Sequence, residues 1–571
     1  MLTLGLLNMR DAAAAIAEDG RLIAAAEEER FVRIKHVTAL PLGAIRYCLR
    51  EAGVRLSDVD AIAVPWKYWQ VGRRAALALG AMLRSPLHFR VKARRSAERM
   101  TQEWMELATL RRRLSRALEV ACPAPTFYDH HMSHAASALL TSPFERAAIL
   151  VVDGASEAHT TLLAHGEGTR LRPLRRIALP HSLGQFYAAI TAYLGFRPDY
   201  DEYIVMGLAA YGEPTFADAL RRTVLPPTSD GGFRLNTALF DFHLARVGIF
   251  TPEFVRLFGP PRRRDEPIEQ RHRDLAASAQ LVLEETLLQL ARELKRLTRA
   301  DDLCVAGGVA LNCVANSRLA RESGFARVYV PPSAGDGGTP VGAVLWHAAR
   351  RGIPRDRIPA LRTAAWGPRF ETGACRDAAT RAGLPVEAMS DEALCERVAA
   401  ELVQGKLVLW FQGRMEWGAR ALGHRSLLAD PRREDIRELI NARVKLREPF
   451  RPFAPSVLEE RAFEFFDLPA ASPFMSFTCP VWPSAKGLVP AVVHVDGTAR
   501  VQTVGREADP RFRRLLEAFA KLTGVPVLLN TSFNVNEPIV CTPEDAVACY
   551  LKSQVEWLVM ENLLIGRPPR S

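Results

Sequence analysis

Three apolar segments of strand length open the chain, LTLGLLN, AAAAIAEDG and RLIAAAEEERF, the first two separated by a turn at Arg10–Asp11. This reads as strand, hairpin, strand. The pattern returns near residue 147. AAILVVDGASEAHTTLLAHGEGTRL has an apolar strand with a carboxylate, Asp153, at its end, then a turn, a second strand, a Gly-rich turn and a third strand. Two copies of one unit predict a duplicated α/β domain with a cleft between its lobes. Asp11 and Asp153, both at strand ends, are expected to face that cleft.

A helical period follows. Apolar residues recur every 3.6 positions from Asp274 to Leu297, with an Asp at the start and basic residues at the end. Next come a strand in LCVAGGVAL, a Gly307–Gly308 pair and a helix from about Asn312. VYVPPSAGDGGTPVGAVLWHAAR gives another strand, a Gly-rich loop holding Asp336, and a helix. Gly-rich loops that open onto helix N-termini suit anions, though many α/β loops share the composition. A basic, Pro-containing stretch then reads as a linker, and Phe370 to about Ile565 as a second α/β domain without the repeat. The expected boundaries are 1–350, with lobes of about 1–140 and 145–350, a linker at 351–368, and 369–571.

At 571 residues the chain exceeds a single core, which fits two domains. No apolar stretch reaches the length of a membrane span, and the N-terminus has no basic region before its short apolar run. The nine Cys are scattered without a CxxC pair, as expected of reduced thiols in a cytoplasm. The net charge of +11 is dominated by Arg. That suits anionic substrates, and equally an Arg- and Ala-rich genomic composition. The densest basic run, Arg73 to Arg116, has few aromatic residues for base stacking, so no nucleic-acid partner is expected. GxSxG, Walker A and strand-linked GxGxxG motifs are absent, which removes serine hydrolase, P-loop and dinucleotide-binding classes.

Two regions carry candidate chemistry. In DHHMSHAASALL, His130 and His134 are four apart and share one face of a helix, while His131 points elsewhere. A helix N-terminus with polar first-turn residues would show the same pattern. Asp153 and Asp336, at strand-to-loop turns on the same cleft, would complete a two-His, two-carboxylate set for a divalent first-row metal. In the second domain Arg414, Arg420 and Arg425 fall within GRMEWGARALGHRSLLADPR, Lys445, Arg447 and Arg451 within NARVKLREPFRPFAPS, and Arg500 within DGTARVQTV. Set among Gly, Ala, Pro, Phe and Trp, these cations read as partly buried groups awaiting phosphates, or as structural ion pairs. Asn530, Thr531, Ser532 and Asn534 follow an apolar strand, where they can orient a ribose or an amide, or simply form a turn.

These motifs together resemble the bacterial ATP-dependent O-carbamoyltransferases of antibiotic and nodulation-factor biosynthesis. The resemblance runs over nearly the whole chain. It is carried by AAAEEERFVRIKH, DHHMSHAASA, VVDGASE, DEYIVMGLAAYG, AGGVALNCVANSRL, AGDGGTPVGA, GRMEWGARALGHRSLLADPR, REPFRPFAPSVL and LLNTSFN, in that order. It implies an N-terminal duplicated domain of the actin-like ATPase (Kae1-like) fold and a C-terminal YrdC-like α/β domain. It implies that the second domain makes carbamoyl adenylate from carbamoyl phosphate and ATP with Mg2+. The first domain would then pass the carbamoyl group to a hydroxyl of a small-molecule natural product. Metal ligands would be His130, His134, Asp153 and Asp336, with Fe2+ first and Zn2+ or Mn2+ as alternatives. Carbamoyl phosphate and nucleotide would be held by Arg420, Lys445, Arg451, Arg500, Asn530 and Ser532, with Arg414, Arg425 and Arg447 alongside. A cytoplasmic monomer or homodimer is expected. The other readings are a tRNA threonylcarbamoyl-type modifier and a nucleotide-binding partner without transfer activity.

One departure bears on transfer. The family has His before Asp in the first hairpin, where this chain has Arg10–Asp11, and DGxGE reads DGASE. Arg cannot accept a proton. If the family His is a general base in transfer, that role is vacant here or falls to His131 or Glu157, and Asp11 is the third catalytic candidate.

Overall fold

The structure is a computed structural model and describes residues 1–70, 72, 74–77, 79, 104–226, 228, 230–240, 249–506 and 508–567. Residues 73, 78 and 80–103 of the basic run Arg73–Arg116 lie outside the described residues. The chain divides into two units, one of residues 1–23 and 38–360, the other of residues 24–37 and 361–571.

The first unit is built on two five-stranded sheets of the same strand order. Strands β1 (Leu2–Leu7), β2 (Ala13–Glu18), β3 (Arg21–Glu27), β4 (Ala61–Val64) and β5 (Pro125–Phe127) run in the order β3-β2-β1-β4-β5. Strands β6 (Arg146–Val152), β7 (His159–Glu167), β8 (Arg170–Ala178), β9 (Asp302–Ala306) and β10 (Arg327–Tyr329) run β8-β7-β6-β9-β10. In each sheet the first strand pairs antiparallel with the second and parallel with the fourth. The repeat read in the apolar pattern is therefore a repeat of topology. β6 is buried on both faces after its first residue, which explains its unbroken AAILVV run.

Each sheet's last strand leads to a helix of the same length, His130–Thr141 after β5 and Thr339–Arg350 after β10. The first begins where the Asp129 side chain accepts the Met132 N–H at 2.9 Å. The two helices pack closely because Gly342 has no Cβ. One built there would sit 1.9 Å from the Ser133 carbonyl oxygen. The long helix spans Gln270–Thr298, four residues earlier than the apolar period suggested, because Glu269 and His272 form the cap.

The second unit holds an eight-stranded mixed sheet. Its strands are β11 (Val386–Ala388), β12 (Val408–Phe411), β13 (Arg425–Ala429), β14 (Ala454–Leu458), β17 (Gln502–Val504), β18 (Val527–Ser532), β19 (Trp557–Met560) and β20 (Leu563–Ile565). They run β11-β20-β19-β12-β13-β18-β14-β17, while β15 (Thr478–Pro480) and β16 (Thr498–Arg500) form a separate pair. Side chains alternate between two cores. Leu409, Phe411, Leu427 and Leu529 enter one. Val408, Trp410, Leu428 and Leu528 enter the other, with Leu394 and Val398 of helix Asp391–Val403 and Leu515 and Phe519 of helix Pro510–Thr523.

Two expected boundaries are corrected. Residues 24–37, read as part of the first lobe, group with the second unit. There the Gly418 N–H donates to Glu27 Oε1 at 2.8 Å, and Arg30 donates to the Gly418 carbonyl at 2.8 Å. Residues 361–368, read as linker, are packed in the second unit, where Gly367 N–H meets the Met415 carbonyl and Met415 N–H the Pro368 carbonyl. Pairing across 50 to almost 400 residues leaves no local periodicity, so neither assignment shows in the sequence.

Burial, above all, pushes the Glu27 carboxyl up to about 7, against the pull of Arg30. A carboxyl raised in the folded state favours folding while protonated, and loses that advantage as pH climbs from its unfolded value through 7. Stability should fall by up to about 3 kcal/mol between pH 5 and 8 from this group. Glu27→Gln keeps an acceptor for Gly418 and should flatten the slope in urea unfolding followed at both pH values. Equal slopes in the two proteins would contradict this.

Candidate active site

In the first unit, ligand-type side chains converge at the carboxyl ends of the strands. His130 and His134 follow β5, Asp153 follows β6, and Asp336 lies in the turn after β10. Four ligand atoms, one from each, all lie within 4.8 Å of one another. His130 Nε2 is 3.3 Å from Asp153 Oδ2 and 3.4 Å from Asp336 Oδ1, and His134 Nε2 is 3.8 and 3.4 Å from the same atoms. A tetrahedral centre with bonds of about 2.1 Å needs ligands about 3.4 Å apart.

The chemistry of the set fits a cation. His130 Nδ1 lies 3.1 Å from the Pro65 carbonyl oxygen. That contact requires the proton on Nδ1 and turns the Nε2 lone pair toward the two carboxylates. Neither ring nitrogen of the buried His134 has a hydrogen-bond partner. Lone pairs and anions thus face one another, an arrangement stable only around a proton or a metal ion. The same demand raises the His130 pKa well above its ordinary value. Burial pulls it down, but Asp336 and Asp153 outweigh that. They in turn benefit, and the Asp336 carboxyl is held far below the usual range by the two histidines despite its burial. His130, His134, Asp153 and Asp336 are therefore the residues that would hold the metal.

The three remaining candidates of this unit behave differently. Glu157 is buried, and its Oε1 accepts the Lys67 N–H at 2.9 Å and the His130 N–H at 3.1 Å. It holds the start of the ligand helix. His131 is wholly buried with neither ring nitrogen bonded, and burial lowers its pKa well below the ordinary value. Its ring centroid lies 5.9 Å from that of His130 and 6.5 Å from that of His134. Both candidate bases are thus buried beside the ligand helix. Asp11 sits in the tight turn after β1, with φ of 56°. Beside it, Arg10 Nη1 is 3.3 Å from Asp199 Oδ2, and its guanidinium stacks 4.6 Å over Tyr200.

In the second unit, contacts bring Lys445 and Ser532 together with Arg451 near Lys445, and Asn530, two residues before Ser532 on the same strand, bonds to the loop holding Arg420. Lys445 Nζ is buried and donates to the Ser532 carbonyl and to the Asn534 carbonyl and Oδ1, both at 2.8 Å. Burial first, then Arg447, holds its pKa well below the ordinary value. Asn530 Nδ2 donates to Ser456 Oγ at 2.9 Å and to the Ala421 carbonyl at 3.3 Å, beside Arg420, while its buried Oδ1 has no partner. The Arg500 Nε is likewise buried without a partner. His494, held down to about 4 by burial, lies near Arg500 and donates a ring N–H to the Phe453 backbone carbonyl. An unmatched acceptor and an unmatched guanidinium donor suit a ligand that carries both an amide and a phosphate.

Lys35 belongs here and was not singled out by pattern. Lys35 is exposed at the surface, and its ammonium pKa is lowered by partial removal from water and by the neighbouring charges of Arg451 and Arg30, against Glu29. It stands more than 400 residues from Arg451 in the chain, and only the grouping of residues 24–37 with this unit reveals it.

Three arginines of the expected set are engaged with the protein itself. Arg425 is 0 % exposed, stacks 3.6 Å over Phe411, and donates to the carbonyls of Gln412, His424, Gly413 and Pro368. It braces the loop, which corrects its assignment to nucleotide. Arg414 donates to the Gly367 and Trp366 carbonyls. Arg447 bonds Asn441 Oδ1 at 2.7 Å and lies over Phe453. Arg425→Lys keeps the charge but cannot span the four carbonyls, and should lower unfolding free energy by about 2 kcal/mol. Denaturant unfolding checks this, and an unaltered midpoint would refute the bracing role.

The fold and site thus define a two-unit α/β protein with a centre of two histidines and two aspartates competent for a divalent metal. Residues 3–345 match the family profile described as carbamoyltransferase N-terminus, and residues 399–567 that described as carbamoyltransferase C-terminus. The chain belongs to the carbamoyltransferase family, and is accordingly a transferase. It is 40 % identical to nodulation protein NolNO of Sinorhizobium fredii, over 98 % of this chain and 79 % of that protein. It is 41 % identical to the uncharacterized protein sll1178 of Synechocystis, over 98 % of this chain and 95 % of that one. Among solved structures it is similar to component A of the (R)-2-hydroxyglutaryl-CoA dehydratase of Acidaminococcus fermentans. That chain is 15 % identical and 99 % covered, against 61 % of this one, with a TM-score of 0.34. No helix among the described residues is long and apolar enough to cross a membrane.

Proposed function

We propose that the chain is an ATP-dependent O-carbamoyltransferase that works through carbamoyl adenylate. The second unit, in the role of a YrdC-like domain, takes carbamoyl phosphate, water and ATP: water splits carbamoyl phosphate into carbamate and phosphate, and the carbamate oxygen attacks the α-phosphorus of ATP, forming carbamoyl adenylate and releasing pyrophosphate. The first unit, in the role of an actin-like, Kae1-like domain, passes the carbamoyl group to a hydroxyl of a small natural product. The observation that carries this is the presence of two distinct sites in one carbamoyltransferase chain, a cationic site and a metal-competent one.

Adenylate formation gathers negative charge on phosphoryl oxygens, and positioned cations supply much of the rate. Arg451, Arg500 and Lys35 are the groups to neutralise that charge, and Asn530 Oδ1 is the acceptor for the carbamoyl amide. In the first unit a divalent metal held by His130, His134, Asp153 and Asp336 would act as a Lewis acid toward carbonyl or hydroxyl oxygen. Glu157 and the Pro65 carbonyl orient His130 for that task. Asp11, at the equivalent strand end to Asp153, is the remaining carboxylate for the hydroxyl proton.

The test is incubation with carbamoyl phosphate, ATP and Mg2+ and measurement of pyrophosphate. Release without tRNA or threonine supports the proposal, and dependence on either favours a tRNA modifier. Release with no carbamate formed on any of a panel of hydroxylated acceptors would leave a nucleotide-binding protein without transfer activity.

A further inference from the structure

Three buried polar side chains stand side by side on neighbouring strands of the second unit. Asn530 is on β18, Ser456 on β14 and Gln502 on β17, and the registers pair Ser456 with Gln502 and Asn530 with Ala454. Asn530 is 1 %, Ser456 0 % and Gln502 4 % exposed, so each polar atom needs a partner from the protein or from a ligand. Their orientations follow from one fixed point, the Leu422 carbonyl, which can only accept. Gln502 Nε2 donates to it at 2.8 Å. Gln502 Oε1 therefore turns the other way, where it accepts the Ser456 hydroxyl proton and, at 3.1 Å, Asn530 Nδ2. Ser456 Oγ, its proton already given to Gln502, offers Asn530 only lone pairs and accepts Nδ2 at 2.9 Å. The Ala421 carbonyl accepts the same amino group at 3.3 Å. Three acceptors thus surround one end of the Asn530 amide, and the other end, the buried Oδ1, is left with no partner.

We infer that Gln502 is the positioning residue that makes this site read the amino group of its substrate. It holds Asn530 with Oδ1 toward the carbamoyl NH2, and the site thereby rejects an acyl phosphate of the same shape that carries a methyl group there. The inference rests on the carbamoyl phosphate reading of the second unit above. An asparagine amide is nearly symmetric in shape, so packing alone does not fix which end faces a ligand, and the hydrogen-bond network must. Turned over, Asn530 would set its NH2 against the carbamoyl NH2, donor against donor, and would bury Oδ1 among three acceptors. Held as it is, Oδ1 accepts one carbamoyl N–H. A methyl group in that place offers no such hydrogen and leaves Oδ1 buried and unpaired, which costs more than a hydrogen bond to a well-matched ligand contributes. Gln502 acts through Asn530 and is not itself a catalytic residue. It stands 28 residues from Asn530 and 80 from Leu422 in the chain, so no local pattern marks it.

The probes are phosphonoacetamide and 2-oxopropylphosphonate. Both carry a methylene in place of the bridging oxygen of an acyl phosphate, neither is split by water, and they differ only in NH2 against CH3. Each is titrated calorimetrically into the full chain without ATP. The amide should bind the unsubstituted protein at least about tenfold more tightly than the ketone. Gln502→Met removes both polar ends of the relay at similar volume. It should weaken the amide to within about threefold of the ketone, while affinity for the ketone stays within about twofold. Gln502→Leu should give the same pattern. Ser456→Ala, which leaves Gln502 and Ala421 as acceptors for Asn530 Nδ2, should keep the preference. A purely structural role would weaken both probes alike. Equal binding of the two by the unsubstituted protein, no binding of either, parallel loss of both in the Gln502 variants, or a preference that survives in them would overturn the inference. Pyrophosphate release from carbamoyl phosphate and ATP is measured on the same unsubstituted preparation. Its absence would defeat the adenylate reading while the paired affinities still decide the role of Gln502.

Discussion

His134→Ala protein is expected to lose bound divalent metal and carbamoyl transfer together, with transfer down by a factor of about 10^2 to 10^4, while pyrophosphate release continues. The reason lies in the ligand set. Removing one of four ligands leaves a centre that can no longer enclose an ion, and the ring removed is buried with no other bonding task among the described residues. Its loss opens a small cavity at the helix start, worth about 2 kcal/mol or less of stability, so the fold should persist. Asp153→Asn is the companion variant. It preserves shape but removes a charge, and the amide can still accept the Gly308 N–H now bound at 3.1 Å by Asp153 Oδ1. Elemental analysis of the purified proteins and a transfer assay with labelled carbamoyl phosphate give the readouts. Full metal content in both variants would show that the cluster is a proton-linked structural site.

Arg500→Ala and Lys35→Met should do the opposite, cutting pyrophosphate release by about 10^2 to 10^3 with metal content unchanged. Arg500 keeps a buried, unpartnered Nε, and Lys35 is held close to Arg451 and Arg30 although each repels it. Like charges held close together cost stability, and a bound anion relieves that cost. Both variants should therefore be at least as stable as the parent without ligand, yet gain less stability from carbamoyl phosphate or ATP. Thermal unfolding with and without each ligand reads this directly. Undiminished pyrophosphate release in Lys35→Met would remove residues 24–37 from the site, whatever the fate of Arg500.

The contrast between the two sites follows from where their residues lie. The metal centre was legible because two ligands share one helix turn and the other two end strands of a visible repeat. His130 and His134 needed only the 3.6 period, and Asp153 only the end of an apolar run. The cationic site was legible in composition but not in detail. Arg425 and Arg420 stand five apart in one motif, yet one is enclosed by carbonyls and stacked on Phe411 while the other lies half-buried in the loop beside Ala421. Residue type is the same in both, and nothing local distinguishes them.

The sequence by itself determined the duplicated α/β pattern, the second α/β unit, the four residues that come together as a candidate metal site, and the family. These rest on short-range periodicity and on motifs whose partners are close in the chain or repeat. Tertiary structure decided the rest. It grouped residues 24–37 with the second unit and with them Lys35, and set the Glu157 carboxylate on the backbone N–H of His130. Each depends on long-range contacts, where packing and the need to satisfy every buried polar group override what any local segment prefers.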